Sequence, residues 1–186
     1  MARNDNATLV LSAGNYFTGP VGTARPVDLT SVSAPWEELG HTSLEDILSL
    51  TSEGGEATVL GTLQNKTLRT KYSDRSDALN FTLQQFDADS LRLYFGGNMV
   101  EVDSDFLGIP TNPTPVQSAF LAVFIDAENV FAFYAPKAEI FRADDFSAGD
   151  AESLAGLPLS VRPLQYGSND WTFAVTPLGA NTSSSS

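Results

Sequence analysis

The sequence predicts a mainly β protein, a β-sandwich or barrel with one short flanking α-helix and long extended loop and terminal arms. Three observations point there. Apolar and polar residues alternate with period two in several short segments. One unbroken apolar run, AFLAVFI (119–125), is too short for the ~20 residues that span a bilayer and reads as a strand covered on both faces. A single stretch carries helix punctuation.

Taken in order, TLVLS (8–12) and ATVLGT (57–62) are weak strand candidates. TLRTKY (67–72) alternates Leu68, Thr70 and Tyr72 against Thr67, Arg69 and Lys71. DALNFTLQ (77–84) puts Leu79, Phe81 and Leu83 on one face and Asn80, Thr82 and Gln84 on the other, the pattern of a half-buried strand. In FDADSLRLYFGG (86–97), Asp87 is placed to cap a helix of about two turns, with Leu91, Tyr94 and Phe95 as its apolar residues and Gly96 as its stop. AFLAVFI then meets NVFAFYA (129–135) across a turn at 126–129. EIFR (139–142) and LSVRPL (159–164) are weaker strands, DAESLAG (150–156) a second short helical turn, and DWTFAVT (170–176) puts Trp171, Phe173 and Val175 on one side. Residues 12–43 and 104–117 hold few strand signals and three prolines each, so they read as long connectors.

The bulk numbers set bounds. A chain of 186 residues suits one domain, here 1–178, followed by a Ser-rich flexible tail over 179–186. A globular chain of this size buries roughly 70% of its extended surface and needs no disulfide or metal to hold a core. With no cysteine, thiol catalysis, Cys-ligated zinc and iron–sulfur clusters are excluded. The N-terminal residues carry no apolar stretch long enough for a signal peptide, so the chain is expected to be soluble and not secreted. The net charge of −13, from 23 acids against 10 bases, argues against gripping nucleic acid through its phosphates.

No constellation for chemistry stands out. His41 is the single histidine, and Glu45 and Asp46 nearby do not supply the second nitrogen ligand of a transition-metal site; the spacing of a calcium loop is absent. No G-x-S-x-G or phosphate-loop pattern occurs, and Gly54-Gly55 and Gly96-Gly97 read as a turn and a helix stop. No cofactor and no enzymatic activity are expected.

What does stand out is charge segregation. Residues 37–56 hold Glu37, Glu38, Glu45, Asp46, Glu53 and Glu56 without one base, whereas 66–75 hold Lys66, Arg69, Lys71 and Arg75 against a single acid, Asp74. Two solvated faces that differ in charge would account for this. So would self-complementarity, in which the acidic arm of one copy meets the basic strand of the next, a head-to-tail contact that closes into rings or continues into filaments.

The stretches WEELGHTSLEDILSLTSEGGEATVLGTLQNKTLRTKYS (36–73) and LNFTLQQFDADSLRLYFGG (79–97) resemble the major tail proteins, or tail tube subunits, of siphophages that infect actinobacteria. The resemblance implies a phage tail tube fold similar to type VI secretion tube proteins. It implies self-assembly into stacked hexameric rings, with tape measure protein in the lumen and tail tip initiator and tail terminator proteins at the ends. Genome DNA would pass through without specific binding, and no membrane insertion is implied. The protein would belong to the virion tail and be assembled in the host cytoplasm. No extra immunoglobulin-like domain is expected after WTFAVTP, so the tube would be smooth. Expected inter-subunit or inter-ring contacts are Trp36, Glu37, Glu38, His41, Thr42, Glu45, Asp46, Glu53, Glu56, Lys66, Arg69, Lys71 and Arg75. Strands 67–72 and 77–85 are expected to join the sheets of adjacent subunits, with Trp36 as an apolar anchor. The alternative is a stand-alone β-sandwich binding module, such as a minor tail or adhesin-like protein.

Overall fold

The strand β9 (Val116–Asp126) is the centre of the molecule. In this computed structural model, which describes residues 8–126, 129–146, 148 and 154–178, all of Ala119–Phe124 are buried. Alternate residues feed two different cores. Phe120, Ala122 and Phe124 join the larger one; Ala119, Leu121 and Val123 join a smaller one on the opposite face. A run without a polar face is what a strand covered on both sides requires.

Around β9 the chain builds one antiparallel sheet. β1 (Ala13–Gly19) lies on one flank of β9 and is itself edged by β2 (Glu37–Glu38). On the other flank lie β10 (Asn129–Arg142), β11 (Leu157–Pro163), β6 (Arg75–Leu83) and finally β3 (Ser49–Gly54). A two-residue strand, β12 (Ala174–Val175), pairs with β10. The mainly β class expected from the alternation is what the structure has.

Several expectations are corrected. The first strand is not 8–12 but AGNYFTG, and the reason lies in packing. A Cβ on Gly14 would come within 2.7 Å of the Phe124 ring, so glycine, a poor strand former, is what lets β1 lie against β9. EIFR is not a strand of its own: it is the far end of β10, which continues through Pro136 by a register shift between Ala135 and Ala138. The 170–176 stretch supplies only β12, and Trp171 and Val175 are exposed. Asp126 pairs with Asn129 as a hairpin requires, while the turn residues 127–128, most of the expected helical turn at 150–156, and the 179–186 tail lie outside the described residues.

The single helix among the described residues, α1 (Ala88–Phe95), forms where expected. The Asp87 carboxylate accepts the Ser90 backbone N–H at 2.8 Å, and Gly96 closes the helix at φ 117° by donating to the Arg92 carbonyl oxygen. Leu93 and Tyr94 are buried against the larger core, and Leu91 and Phe95 pack at its margin.

The long connector over 20–36 is not a free arm. It folds back over the smaller core, burying Leu29 and Trp36, and the Trp36 indole N–H donates to the Ala24 carbonyl at 3.1 Å.

Candidate self-assembly surface

Strand β6 organises the charged segments. Nine residues of strand span about 30 Å. At its Leu83 end, Ser43 N–H donates to the Thr82 carbonyl, Thr42 bridges Leu83, and Gln84 N–H donates to the His41 carbonyl. The acidic run from Glu37 to Asp46 is therefore pinned to this end. Glu37 and Glu38 share a cleft with Asp87 and Asp89 of the helix start. Glu45 and Asp46 are exposed, their backbone N–H groups both donating to the Ser43 hydroxyl at 3.2 Å.

At the Arg75 end of β6 stands a different structure. Every residue from 49 to 76 is exposed. β3 pairs with β6 as far as Gly54↔Arg75. The chain then swings through Gly54 and Gly55, both at positive φ (83° and 71°), into a separate hairpin. Its strands are β4 (Ala57–Leu60) and β5 (Arg69–Tyr72). By register, one face carries Ala57, Val59, Thr70 and Tyr72, and the other carries Thr58, Leu60, Arg69 and Lys71. Val59, Leu60, Leu63, Leu68 and Tyr72 are all more than 45% exposed, and Leu63 at the tip is 96% exposed. Nothing within the chain covers either face of this hairpin among the described residues. The arm thus carries exposed apolar residues on both of its faces.

The anticipated contact residues thus fall into two groups that the fold keeps apart. Glu37, Glu38, His41, Thr42, Glu45 and Asp46 gather at the Leu83 end. Glu56, Lys66, Arg69 and Lys71 ride on the arm, and Glu53 stands at its root in β3, opposite Ser76 of β6. Two others have partners inside their own chain. Trp36 belongs to the smaller core, edge-on to Tyr134 at 6.2 Å between centroids. Arg75 Nε pairs with the Asp77 carboxylate at 2.8 Å and its guanidinium reaches the Ser52 hydroxyl at 2.9 Å. The Ser52 hydroxyl and then Arg75 hold the Asp77 carboxyl below the usual carboxylate range. None of Glu45, Asp46, Glu53, Glu56, Lys66, Arg69 and Lys71 is ion-paired within the chain among the described residues.

Edge pairing also moves. β6 lies between β11 and β3: β3 pairs along Arg75–Asn80 and β11 along Leu79–Leu83, so only its Arg75–Ala78 edge on the β11 side is left without a strand. The outermost strands of the main sheet are β2, β3 and, branching from β10, β12; β4 and β5 each have one free edge in the small sheet. Sequence reasoning missed β3 because SLTSEG buries neither face.

A second feature of the Leu83 end was also missed. Short strands β7 (Val100–Glu101) and β8 (Leu107–Gly108) fold beside α1 and enclose a groove of about 620 Å³. Its floor includes Leu91, Phe95 and Met99, and Phe106 and Ile109 stand exposed at its lip. Glu101, Asp103 and Asp105 line its rim. Arg92 within it is engaged by Asp89 at 3.2 Å and Glu101 at 3.7 Å. The alternation of acids with apolar residues in EVDSDFLG was the available signal.

No group of three or more His, Asp or Glu side chains among the described residues is arranged to hold a metal ion. No helix among them is long and apolar enough to cross a membrane.

Comparison with known proteins gives this arrangement its context. Residues 1–178 match the family described as phage tail tube protein. The chain is 35% identical over 179 residues to the major tail protein Gp23 of Mycobacterium phage L5, covering 89% of each chain. It is 34% identical over 179 residues, with the same coverage, to the major tail protein Gp23 of Mycobacterium phage D29. With the family matched across every element from β1 to β12, the chain belongs to the phage tail tube proteins.

Proposed function

We propose that this chain is the major tail tube subunit of a siphophage virion. In this reading six copies close into a ring, rings stack into a tube around the tape measure protein, and the emptied tube conducts the genome at infection. Growth starts on the tail tip complex in the host cytoplasm and stops at a terminator protein. The mechanism is assembly rather than catalysis.

The observation that carries the reading is polarity. Unpaired acids collect at the Leu83 end of β6, and an unpaired basic, partly apolar hairpin projects from the Arg75 end. A subunit with unlike ends makes heterologous contacts, which repeat rather than self-terminate in a dimer. The net charge of −13 supports the conduit: a negative wall keeps DNA phosphates from binding as they slide. Glu37, Glu38, His41, Thr42, Glu45 and Asp46 form the acidic side of the contact; Lys66, Arg69 and Lys71, flanked by Glu53 and Glu56, form the arm side.

The test is electron microscopy of concentrated protein, with light scattering on the same sample. Tubes of stacked rings are expected from the native chain. The Glu45→Lys, Asp46→Lys double variant is expected to stay folded and to polymerise poorly. A native chain that remains monomeric when concentrated and in the presence of tail tip complex overturns the reading. For loss of the arm, the deletion to use is 56–73, because Gly55 N–H already donates to the Asp74 carbonyl across that gap. Removing 37–56 instead takes away Leu39, Ile47 and Leu48, which pack on the core.

A further inference from the structure

We propose that the connector loop at Arg25-Pro26-Val27 of one copy seats in the groove between α1 and the β7–β8 pair of the next copy, and that this contact is the sideways joint of a ring. The inference rests on the assembly reading above and concerns a contact separate from the arm.

Three observations converge. The first is apolar match. The connector over 20–36 buries Leu29 and Trp36 but leaves Val21 and Val27 outside, 40% and 92% exposed. The groove offers Leu91, Phe95 and Met99 beneath an exposed Phe106. The second is charge. Glu101, Asp103 and Asp105 rim the groove, and the one base inside, Arg92, is engaged by Asp89 and Glu101. Arg25 is exposed and makes no ion pair among the described residues. Its acidic neighbour Asp28 is turned onto Thr30, accepting the backbone N–H at 2.8 Å and the hydroxyl at 2.7 Å, which leaves Arg25 as the loop's unengaged charge. A cation meeting an acidic rim fixes register and speeds encounter.

The third is placement. Between Phe95 and Met99 of the groove, Gly97 N–H donates to the Thr114 carbonyl, just ahead of β9. The connector is tied to the same end of the sheet: Gly22 N–H donates to the Pro136 carbonyl at 2.8 Å, and the Tyr134 hydroxyl donates to the Thr23 carbonyl at 2.7 Å, with Tyr134 opposite Leu121 of β9. The helix packs on the larger core and the connector on the smaller, so β9 stands between the two surfaces. Back to back in one copy, they meet only between copies, and each such step runs across the sheet rather than along its strands. A repeated sideways step between unlike faces closes into a ring when its rotation divides a full turn.

The chain has no cysteine, which makes cross-linking clean. The double variant Val27→Cys, Ser104→Cys, both at exposed positions, is concentrated and mildly oxidised. It is expected to give a ladder of disulfide-linked multimers that ends at one closed ring and collapses under reducing agent. Separately, Val27→Asp puts a carboxylate against an acid-rimmed apolar floor. It is expected to leave the thermal melt unchanged and to raise the concentration needed for polymer by about tenfold or more. Arg25→Asp is expected to weaken polymer formation, and adding Asp105→Arg to restore it substantially.

Native polymer without the Val27–Ser104 ladder overturns the joint and leaves the assembly reading standing. So does a Val27→Asp chain that polymerises like the native one, or a ladder from Gln64→Cys with Ser104→Cys in place of the expected one. A native chain that never polymerises overturns both.

Discussion

The Tyr16 and Phe81 rings stack at 4.5 Å between centroids with 11° between their planes, although three strands separate β1 from β6 in the sheet. Only a sheet that curls strongly brings these strands face to face. The Tyr16 hydroxyl reaches on to the Ile47 carbonyl, tying the acidic segment into the same closure, and burial pushes the Tyr16 phenol well above its ordinary pKa. Phe120 and Phe124 complete the aromatic centre of the larger core.

Phe81→Ala is therefore expected to destabilise the fold by about 3–5 kcal/mol, the usual cost of deleting a buried aromatic ring. Tyr16→Phe keeps the ring and leaves the Ile47 carbonyl without its donor, with an expected cost of about 1 kcal/mol. Urea titration followed by tryptophan fluorescence measures both.

The helix cap gives a pH dependence with a definite sign. The Ser90 backbone N–H, followed by Gln85, holds the Asp87 carboxyl below its ordinary range. A depressed carboxylate contributes stability that is present above its unfolded pKa of about 3.9 and is lost as pH falls through the folded value. Asp87→Ala is expected to cost about 1 kcal/mol at pH 7. Thermal melts of Asp87→Asn are expected to fall less steeply below pH 4 than those of the native chain, because the amide still accepts the Ser90 bond and has no charge to lose.

The two adjacent glycines at the root of the arm are predicted to behave differently. A Cβ on Gly54 would lie 2.0 Å from the Asp74 carbonyl oxygen, whereas one on Gly55 meets nothing within 4 Å. Gly55→Ala is expected to cost about 1 kcal/mol for its positive φ. Gly54→Ala must in addition spread β3 from β6, so it is expected to impair polymerisation more than the core's melting temperature. Light scattering beside a thermal melt separates the two effects.

Ser118 is buried, and its hydroxyl has no hydrogen-bond partner among the described residues. Ser118→Ala removes an unsatisfied polar atom, so it is expected to be neutral or to stabilise by up to about 1 kcal/mol. Loss of more than that in a denaturant titration would contradict the burial argument.

What the sequence disclosed and what it hid follow from where each signal originates. Leu79, Phe81 and Leu83 were legible because one-sided burial stamps a period of two onto a strand. Asp87 and Gly96 were legible because caps are local chemistry. β1 was hidden because its glycine answers a contact with Phe124, more than a hundred residues away. β10 looked like two strands because Pro136 and a register shift interrupt its alternation. Trp36 is expected as an apolar anchor and is buried in the smaller core of its own chain; composition cannot tell an aromatic that its own connector buries from one that a partner buries. The charge segregation was legible as two blocks; that β6 holds most of the acids at one end and the bases at the other is a matter of pairing register, which no local pattern records.

The opposition of the acidic segment and the basic hairpin across β6 has a consequence for size. A joint between unlike ends leaves, after every addition, the same two unsatisfied faces that were there before. Curvature and cross-section can be inscribed in such a unit, because they depend on angles between neighbours. Extent cannot, since the thousandth copy meets the same surface as the second. If the joint forms as proposed, a ruler and a stop must come from outside this chain, and the two tips of the finished object are chemically distinct, one offering bases and the other acids.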